Sequence, residues 1–217
     1  NGGWFYFIIL NGIDGHGHCF ITLVAGDLLA GEATAGTYRL LITRPISRMQ
    51  IVTSKFLVGF AYSALLILWL AIMSMGLGLL IFGTGELLVI RSELIIIFDK
   101  SDILWRFFLA YGFAILGMTV VCSLAFFFSS LVENAIGPII TTMAVIIIFI
   151  IISAIDVDIF RSVKPYLFTN YILNWREFFN DPLDRHEIIK SIYFLSGHII
   201  VLFGITALIF QKKDILS

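Results

Sequence analysis

The stretch FLVGFAYSALLILWLAIMSMGLGLLIFG, residues 56–83, decides the fold class of this chain. These roughly 28 residues contain no Asp, Glu, Lys or Arg. At about 1.5 Å per residue, an α-helix of this length exceeds the roughly 30 Å thickness of a bilayer's hydrocarbon core. The stretch therefore predicts a membrane-spanning helix.

Further uncharged apolar stretches follow along the chain. We predict spans at about residues 107–132, 135–155 and 191–210, because each stretch reaches the roughly 20 residues that a crossing requires. A first span at about 5–30 is interrupted by a polar, glycine-rich segment and by Asp27. The sequence thus predicts an all-α polytopic membrane protein with five spans in one domain, residues 1–217, and six spans in the intact subunit.

The overall composition agrees with this class. Hydrophobic residues make up 59% of the chain and charged residues only 13%, which lies far outside the range of soluble domains. The formal net charge of −1 gives no basic field for a nucleic acid, so no nucleic-acid partner is expected. Cys19 and Cys122 both lie in apolar stretches and are interpreted as small hydrophobic residues.

Two basic regions set the expected orientation. They contain Arg39, Arg44, Arg48 and Lys55 after the first span, and Lys212 and Lys213 in the C-terminal tail. Because Lys and Arg are enriched in cytoplasmic loops, both regions are predicted to be cytoplasmic. The loops 84–106 and 156–190 then lie outside. The short Glu133–Asn134 connection predicts a tight turn between two antiparallel spans.

The segment GEATAGTYRLLITRPISRMQ, residues 31–50, has the pattern of a helix lying on the membrane surface. Leu40 and Leu41 can enter the headgroup boundary while Arg39 and Arg44 stay at the level of the phosphates. Such a helix would be amphipathic and would lie between the first two spans.

Breakers and caps divide this segment from the following span. Pro45 lacks a backbone donor and disfavours helical geometry in the residue before it, so it ends the surface helix. Ser47 and Gln50, three residues apart, form a capping box that predicts the start of the next helix. That helix runs through Lys55 into the bilayer.

The same segment resembles the signature of ABC-2-type permeases, in which an acidic residue, a Gly-Thr pair, two leucines, a proline, a Ser-Arg pair and a lysine follow in this order. The matching residues are Glu32, Gly36, Thr37, Leu40, Leu41, Pro45, Ser47, Arg48 and Lys55. The tail resembles the basic ending of that family through Phe210, Lys212, Lys213 and Asp214. Together these segments cover roughly a fifth of the chain.

This resemblance implies a permease subunit that catalyses no reaction itself. It implies two ABC ATPase partners that bind ATP and Mg, a second permease copy or homologue, and a location in the bacterial inner membrane with a cytoplasmic C-terminus. Segment 31–50 would then be the coupling helix that contacts the ATPase, with Arg39, Arg44 and Arg48 facing acidic groups of that partner. The chain itself is expected to hold no cofactor.

The same features are compatible with other functions. A non-transporting membrane anchor or a passive channel subunit of a larger complex fits the same spans. An integral-membrane enzyme is disfavoured, because the sequence contains no catalytic motif such as H-E-x-x-H or G-x-S-x-G. The sequence does not select a substrate.

Two local features allow more than one interpretation. His16, His18 and Cys19 suggest a metal site together with His198, but their spacing matches no zinc pattern and glycines around them favour a flexible turn. No metal ligand is therefore predicted. The aromatic residues between 166 and 179 are predicted to lie in external interfacial helices, with their rings among the lipid headgroups.

Overall fold

A computed structural model describes residues 17–36, 47–82, 87–90, 95–98 and 100–212 of the chain. These residues are predominantly helical, as the sequence predicts, with one short antiparallel pair of strands. In chain order the elements are α1 (His18–Thr34), α2 (Arg48–Phe82), β1 (Leu87–Ile90), β2 (Ile95–Phe98), α3 (Lys100–Leu131), α4 (Ile136–Ala154), α5 (Asp158–Arg161), a 3₁₀ helix (Lys164–Tyr166), α6 (Phe168–Ile172), a second 3₁₀ helix (Leu173–Phe179) and α7 (Arg185–Lys212). In the strand pair, Leu87 lies opposite Phe98 and Ile90 lies opposite Ile95.

Within the described ranges, four helices are long and apolar enough to cross a membrane: α2, α3, α4 and α7. They overlap the predicted spans 56–83, 107–132, 135–155 and 191–210, respectively. The long apolar helices of the prediction are thus confirmed, and they are compatible with an integral membrane protein. The described part of α1 has 17 residues, so the span at about 5–30 and the total of five or six spans remain predictions.

Local sequence signals determine where the helices end. Gly36 adopts φ of 67°, the left-handed conformation that stops a helix at low cost, and its N–H donates to the carbonyl oxygen of Ala33 at 3.1 Å. Asn134 Oδ1 accepts from the N–H of Ile136 at 3.0 Å, which starts α4 directly after a tight turn. Pro138 is tolerated because it lies in the first turn of α4, where no intrahelical donor is needed.

Helix α3 lies at the centre of the bundle and packs against α1, α2, α4 and α7. In its most apolar stretch 72% of the residues are buried inside the protein, against 17% in each of α2, α4 and α7. The other three helices therefore expose large apolar side chains, such as Leu80 at 84%, Ile140 at 63% and Ile200 at 70%. Continuous apolar faces of this kind are suited to contact with lipid.

The ends of the helices form two layers. At one end, which we call the proximal end, α1, α3 and α7 finish and α2 and α4 begin. Thr34 Oγ1 donates there to the Glu133 carbonyl oxygen at 2.6 Å, and Arg48 Nη1 donates to the Gln211 carbonyl oxygen at 3.0 Å. The start of α2 and the end of α7 therefore lie on the same side of the bundle. The predicted topology likewise places the two basic regions of the sequence on one side.

At the opposite, distal end, residues 158–180 fold into a cap of short helices on α3, α4 and α7. The prediction that their aromatic rings lie among lipid headgroups is wrong for most of them. Phe168, Trp175 and Phe179 are only 2%, 1% and 0% exposed, and the Phe179 ring packs 4.8 Å from that of Phe107 in α3. Packing inside the protein buries the large apolar area of these rings, and only Tyr166 of this group is mostly exposed, at 71%.

A buried arginine joins the distal cap to α3 and β2. Arg106 Nη1 donates to the carbonyl oxygens of Phe178 and Asn180, at 2.8 and 2.9 Å. Its guanidinium lies 4.4 Å from the ring centre of Phe98 and 4.9 Å from that of Trp105. Carbonyl dipoles and ring faces thus surround a cation that is only 6% exposed.

Candidate functional site

The predicted coupling residues lie partly within the described structure. Glu32 and Gly36 lie at the end of α1, and Ser47, Arg48 and Lys55 lie at the start of α2. The remaining members of the set lie outside the described residues: Thr37, Arg39, Leu40, Leu41, Arg44 and Pro45. The predicted segment 31–50 overlaps both flanking helices, because α1 continues in helical geometry to Thr34 and stops only before Gly36.

An ion pair ties the two flanking helices together at the proximal end. Lys55 Nζ donates to Glu32 Oε1, and the two side chains are 25% and 27% exposed. Both residues belong to the predicted signature, and their partnership is what the structure adds to that prediction. The pair lies across α1 and α2, on either side of the segment 37–46.

A double-mutant cycle measures how firmly this pair holds the helices. We expect Glu32→Gln and Lys55→Met each to lower the free energy of unfolding, and the double variant to lower it by little more than either alone. For a pair that is about a quarter exposed, the coupling energy should be about 1 kcal/mol. The measurement is denaturant unfolding of the purified protein in detergent micelles.

The exposed pair Glu187–Lys190, at the distal start of α7, is the matched control. Its coupling should be smaller than that of Glu32–Lys55, because both of its side chains are more exposed to solvent. Strictly additive effects at Glu32 and Lys55 would contradict a direct contribution of their contact to stability.

Arg48 links the start of α2 to the end of α7. Its Nη1 donates to the carbonyl oxygen of Gln211 at 3.0 Å, one of the terminal carbonyls that have no partner within their own helix. A cation at this position is also favoured by the negative end of the α7 dipole. A residue of the predicted signature thus holds the C-terminal helix against α2.

The predicted capping box at the start of α2 is confirmed. The Ser47 N–H donates to Gln50 Oε1 at 2.9 Å, and the Gln50 N–H donates to Ser47 Oγ at 3.2 Å. The reciprocal bonds satisfy two backbone donors that the helix start leaves without partners. They fix the direction in which α2 enters the bundle.

A serine of α3 bonds to the backbone of α1, a contact that no local sequence pattern indicates. Ser129 Oγ donates to the Gly26 carbonyl oxygen at 2.6 Å and accepts from the Ala30 N–H at 2.9 Å and the Leu29 N–H at 3.2 Å. The hydroxyl therefore joins one turn of the α1 backbone to α3, close to Glu32.

An apolar cluster lies next to these polar contacts. Its buried members come from α1, α2, α3 and α7: Leu29, Ile51, Val52, Phe126, Ala207 and Phe210. The Phe56 ring packs against those of Phe126 and Phe203, with centroids 5.6 and 4.8 Å apart. Because such clusters are close-packed, displacement of one helix end is transmitted to the others.

The suggested metal donors are not brought together in the part of the chain that the structure describes. His18 is buried, whereas Cys19 next to it is exposed. His198 Nδ1 lies 3.0 Å from the Phe194 carbonyl oxygen of its own helix. The described ranges contain no group of three or more His, Cys, Asp or Glu placed to hold a metal ion, and His16 lies outside them.

A family model described as "Protein of unknown function (DUF2705)" matches residues 18–216. This range begins at α1 and includes the proximal contacts described above. No curated protein and no solved structure matches the chain significantly.

Proposed function

This chain belongs to the DUF2705 family of proteins of unknown function. From the residues of the chain itself, we propose that it is the permease subunit of an ABC transporter. In this proposal two partner ATPase subunits bind ATP and Mg, and their closure moves the permease. The chain acts with a second permease copy or homologue in the bacterial inner membrane. The proximal end lies in the cytoplasm.

The observation that carries this proposal is the ion pair between Glu32 and Lys55. These residues are the first and last members of the signature, and they tie together the two helices that flank segment 37–46. A force applied to that segment would act on both helices at once instead of being absorbed by relative motion between them. Rigid connections of this kind are what conversion of an ATPase movement into a permease movement requires.

Arg48 and the apolar cluster extend the same connection. Arg48 reaches the last turn of α7 through the Gln211 carbonyl, and Phe126 carries the contact into the central helix α3. Coupling-segment motion would therefore reach four helices through packed side chains and hydrogen bonds. This is the physical basis on which we assign Glu32, Arg48 and Lys55 to coupling.

The direct test is purification of the tagged chain from its native membrane in mild detergent, followed by mass spectrometry of the associated subunits. We expect an ATP-binding subunit in stoichiometric amount, and nucleotide hydrolysis by the complex. The double variant Arg39→Glu, Arg44→Glu is the matched comparison, because it reverses charge in the segment assigned to the ATPase contact. It should still be inserted in the membrane but lose the ATPase. An intact complex that contains no ATPase contradicts the proposal.

A functional prediction follows for the proximal contacts. Glu32→Gln and Arg48→Ala should each lower transport per ATP hydrolysed about fivefold. The reason is that each removes about 1 kcal/mol of interaction free energy between helix ends, which corresponds to roughly that factor. Membrane insertion and ATP hydrolysis should persist, since both residues lie at the helix ends. The comparison is Glu187→Gln, which breaks an exposed ion pair at the distal end and should leave coupling unchanged. Normal coupling in both proximal variants would refute their role.

A further inference from the structure

Helix α1 carries a carboxylate on the face that it turns away from the bundle. Asp27 is exposed, and so are Phe20 and Leu23, at 54% and 51%. Spacings of three and four residues place these three side chains on one face of the helix. Two apolar residues and one negative charge therefore share this outward face.

Asp27 lies level with the apolar parts of α2 and α4, just inside their proximal ends. A Cβ atom at its neighbour Gly26 would lie 2.9 Å from Ile139 Cγ1, and one at Gly59 would lie 2.9 Å from Leu28 Cδ1. Ile139 is three residues beyond the start of α4, and Gly59 is three residues beyond the start of the uncharged stretch of α2. At about 1.5 Å per residue, Asp27 is about 5 Å inside the apolar part of both helices.

This carboxylate has no counter-ion in the part of the chain that the structure describes. None of the hydrogen bonds or ion pairs of these residues involves Asp27, and the Lys55 ammonium at the proximal end is bound to Glu32. A Cβ atom at Gly31 would overlap the Asp27 carboxylate, so this glycine leaves the space in which the carboxylate lies. An ionised carboxylate without a partner is costly at the depth of the hydrocarbon, and such residues commonly mark substrate or ion pathways.

The surroundings of Asp27 indicate which kind of cation would bind there. Calcium and magnesium ions take several oxygen ligands, and the described ranges contain no group of three or more His, Cys, Asp or Glu that could hold a metal ion. A single carboxylate beside exposed Phe20 and Leu23 matches instead an organic cation with an apolar body. Both apolar side chains lie deeper than Asp27, so such a ligand would have its charge toward the proximal surface.

We propose that Asp27 binds an amphipathic organic cation that enters from the proximal leaflet. The positive group of the ligand lies at the Asp27 carboxylate, and its apolar body extends along Leu23 toward Phe20. As an assignment of the transported substrate, this inference rests on the proposed function. Binding itself requires neither nucleotide nor an ATPase.

Equilibrium binding of radiolabelled tetraphenylphosphonium tests the site. The full chain is purified in a non-ionic detergent, and partition into protein-free micelles is subtracted. We expect saturable binding to the wild-type protein. Asp27→Asn is nearly isosteric and should raise the Kd at least about tenfold, because it removes the charge that attracts the cation. Asp27→Glu keeps that charge and should bind within about threefold of the wild-type protein.

Glu133→Gln is the matched control, because it removes an exposed carboxylate at the proximal end, outside the apolar stretches. It should leave the Kd unchanged. Asp27→Asn should also keep the melting temperature and the monodisperse gel-filtration peak of the wild-type protein, since the carboxylate has no described partner to lose. Any loss of binding in this variant can then be separated from a loss of folding.

Adding phosphatidylethanolamine to the micelles identifies the source of the cation. Weaker binding of the probe would assign the site to a lipid ammonium group, and unchanged binding would assign it to a soluble organic cation. Absence of saturable binding to the wild-type protein, or equal binding by Asp27→Asn, would overturn the proposal. The assay contains no ATPase, so this failure would leave the transporter proposal standing.

Discussion

Replacing Gly26 with leucine is expected to force α1 away from α4 and to produce the largest loss of stability among single substitutions in α1. A Cβ atom at Gly26 would lie 2.9 Å from Ile139 Cγ1, 3.4 Å from the Ile139 backbone nitrogen and 3.5 Å from Pro138 Cβ. The backbone nitrogen and the proline ring cannot move aside as a flexible side chain can. Close approach at small residues is a common basis of helix packing in membranes.

Overpacking at such a site costs about 3 kcal/mol or more. In a chain of 217 residues this corresponds to a melting temperature lower by about 6 to 12 °C. The measurement is thermal unfolding in detergent, followed by the loss of the monodisperse gel-filtration peak. Gly112→Leu is the matched control, because Gly112 is exposed on α3 and a Cβ there would meet nothing within 4 Å. Equal destabilisation by both substitutions would show that the close approach of α1 and α4 is not the cause.

The second large effect is expected at Arg106. Arg106→Met removes a buried cation and so relieves its desolvation, but it leaves the carbonyls of Phe178 and Asn180 without their donor. Hydrogen bonds from a charged donor contribute about 1.5 to 3 kcal/mol each, and the ring contacts add to this. We therefore expect the free energy of unfolding to fall by about 2 to 3 kcal/mol, mainly because the distal cap opens more easily.

Hydrogen–deuterium exchange locates this effect. In Arg106→Met, amides of the 3₁₀ helix Leu173–Phe179 should exchange at least tenfold faster, while those at the start of α2 should not change. Arg161→Met is the comparison within the cap, because Arg161 is exposed and its ion pairs with Asp156 and Asp158 lie at the surface. Unchanged exchange of the cap in Arg106→Met would show that the arginine does not hold it.

Features that depend on local chemistry could be predicted from the sequence. The long helices follow from uncharged apolar stretches, and the start of α2 follows from Ser47 and Gln50. The turn before α4 follows from the short connection between two apolar stretches. Each signal lies within a few residues of the structure it determines. Gly36 was predicted as part of a signature, and its positive φ gives it a structural role at the end of α1.

Features that depend on contacts between distant residues could not be predicted in this way. Ser129 and Gly26 are 103 positions apart, and neither has a neighbour in sequence that would indicate the other. Aromatic residues such as Trp175 and Phe179 occur both at the level of the lipid headgroups and in a packed protein interior, so composition alone could not show that these rings pack against α3. The pairing of Glu32 with Lys55 likewise becomes visible only when α1 and α2 are side by side.

The hydroxyl of Ser129 pins α1 to α3. One oxygen contacts Gly26, Leu29 and Ala30, so a slide of α1 along α3 would break three hydrogen bonds at once. Thr34, one turn further on, adds a fourth bond, to the carbonyl oxygen of Glu133. The C-terminal half of α1 should therefore move together with α3, and a displacement of Glu32 should be carried to the central helix.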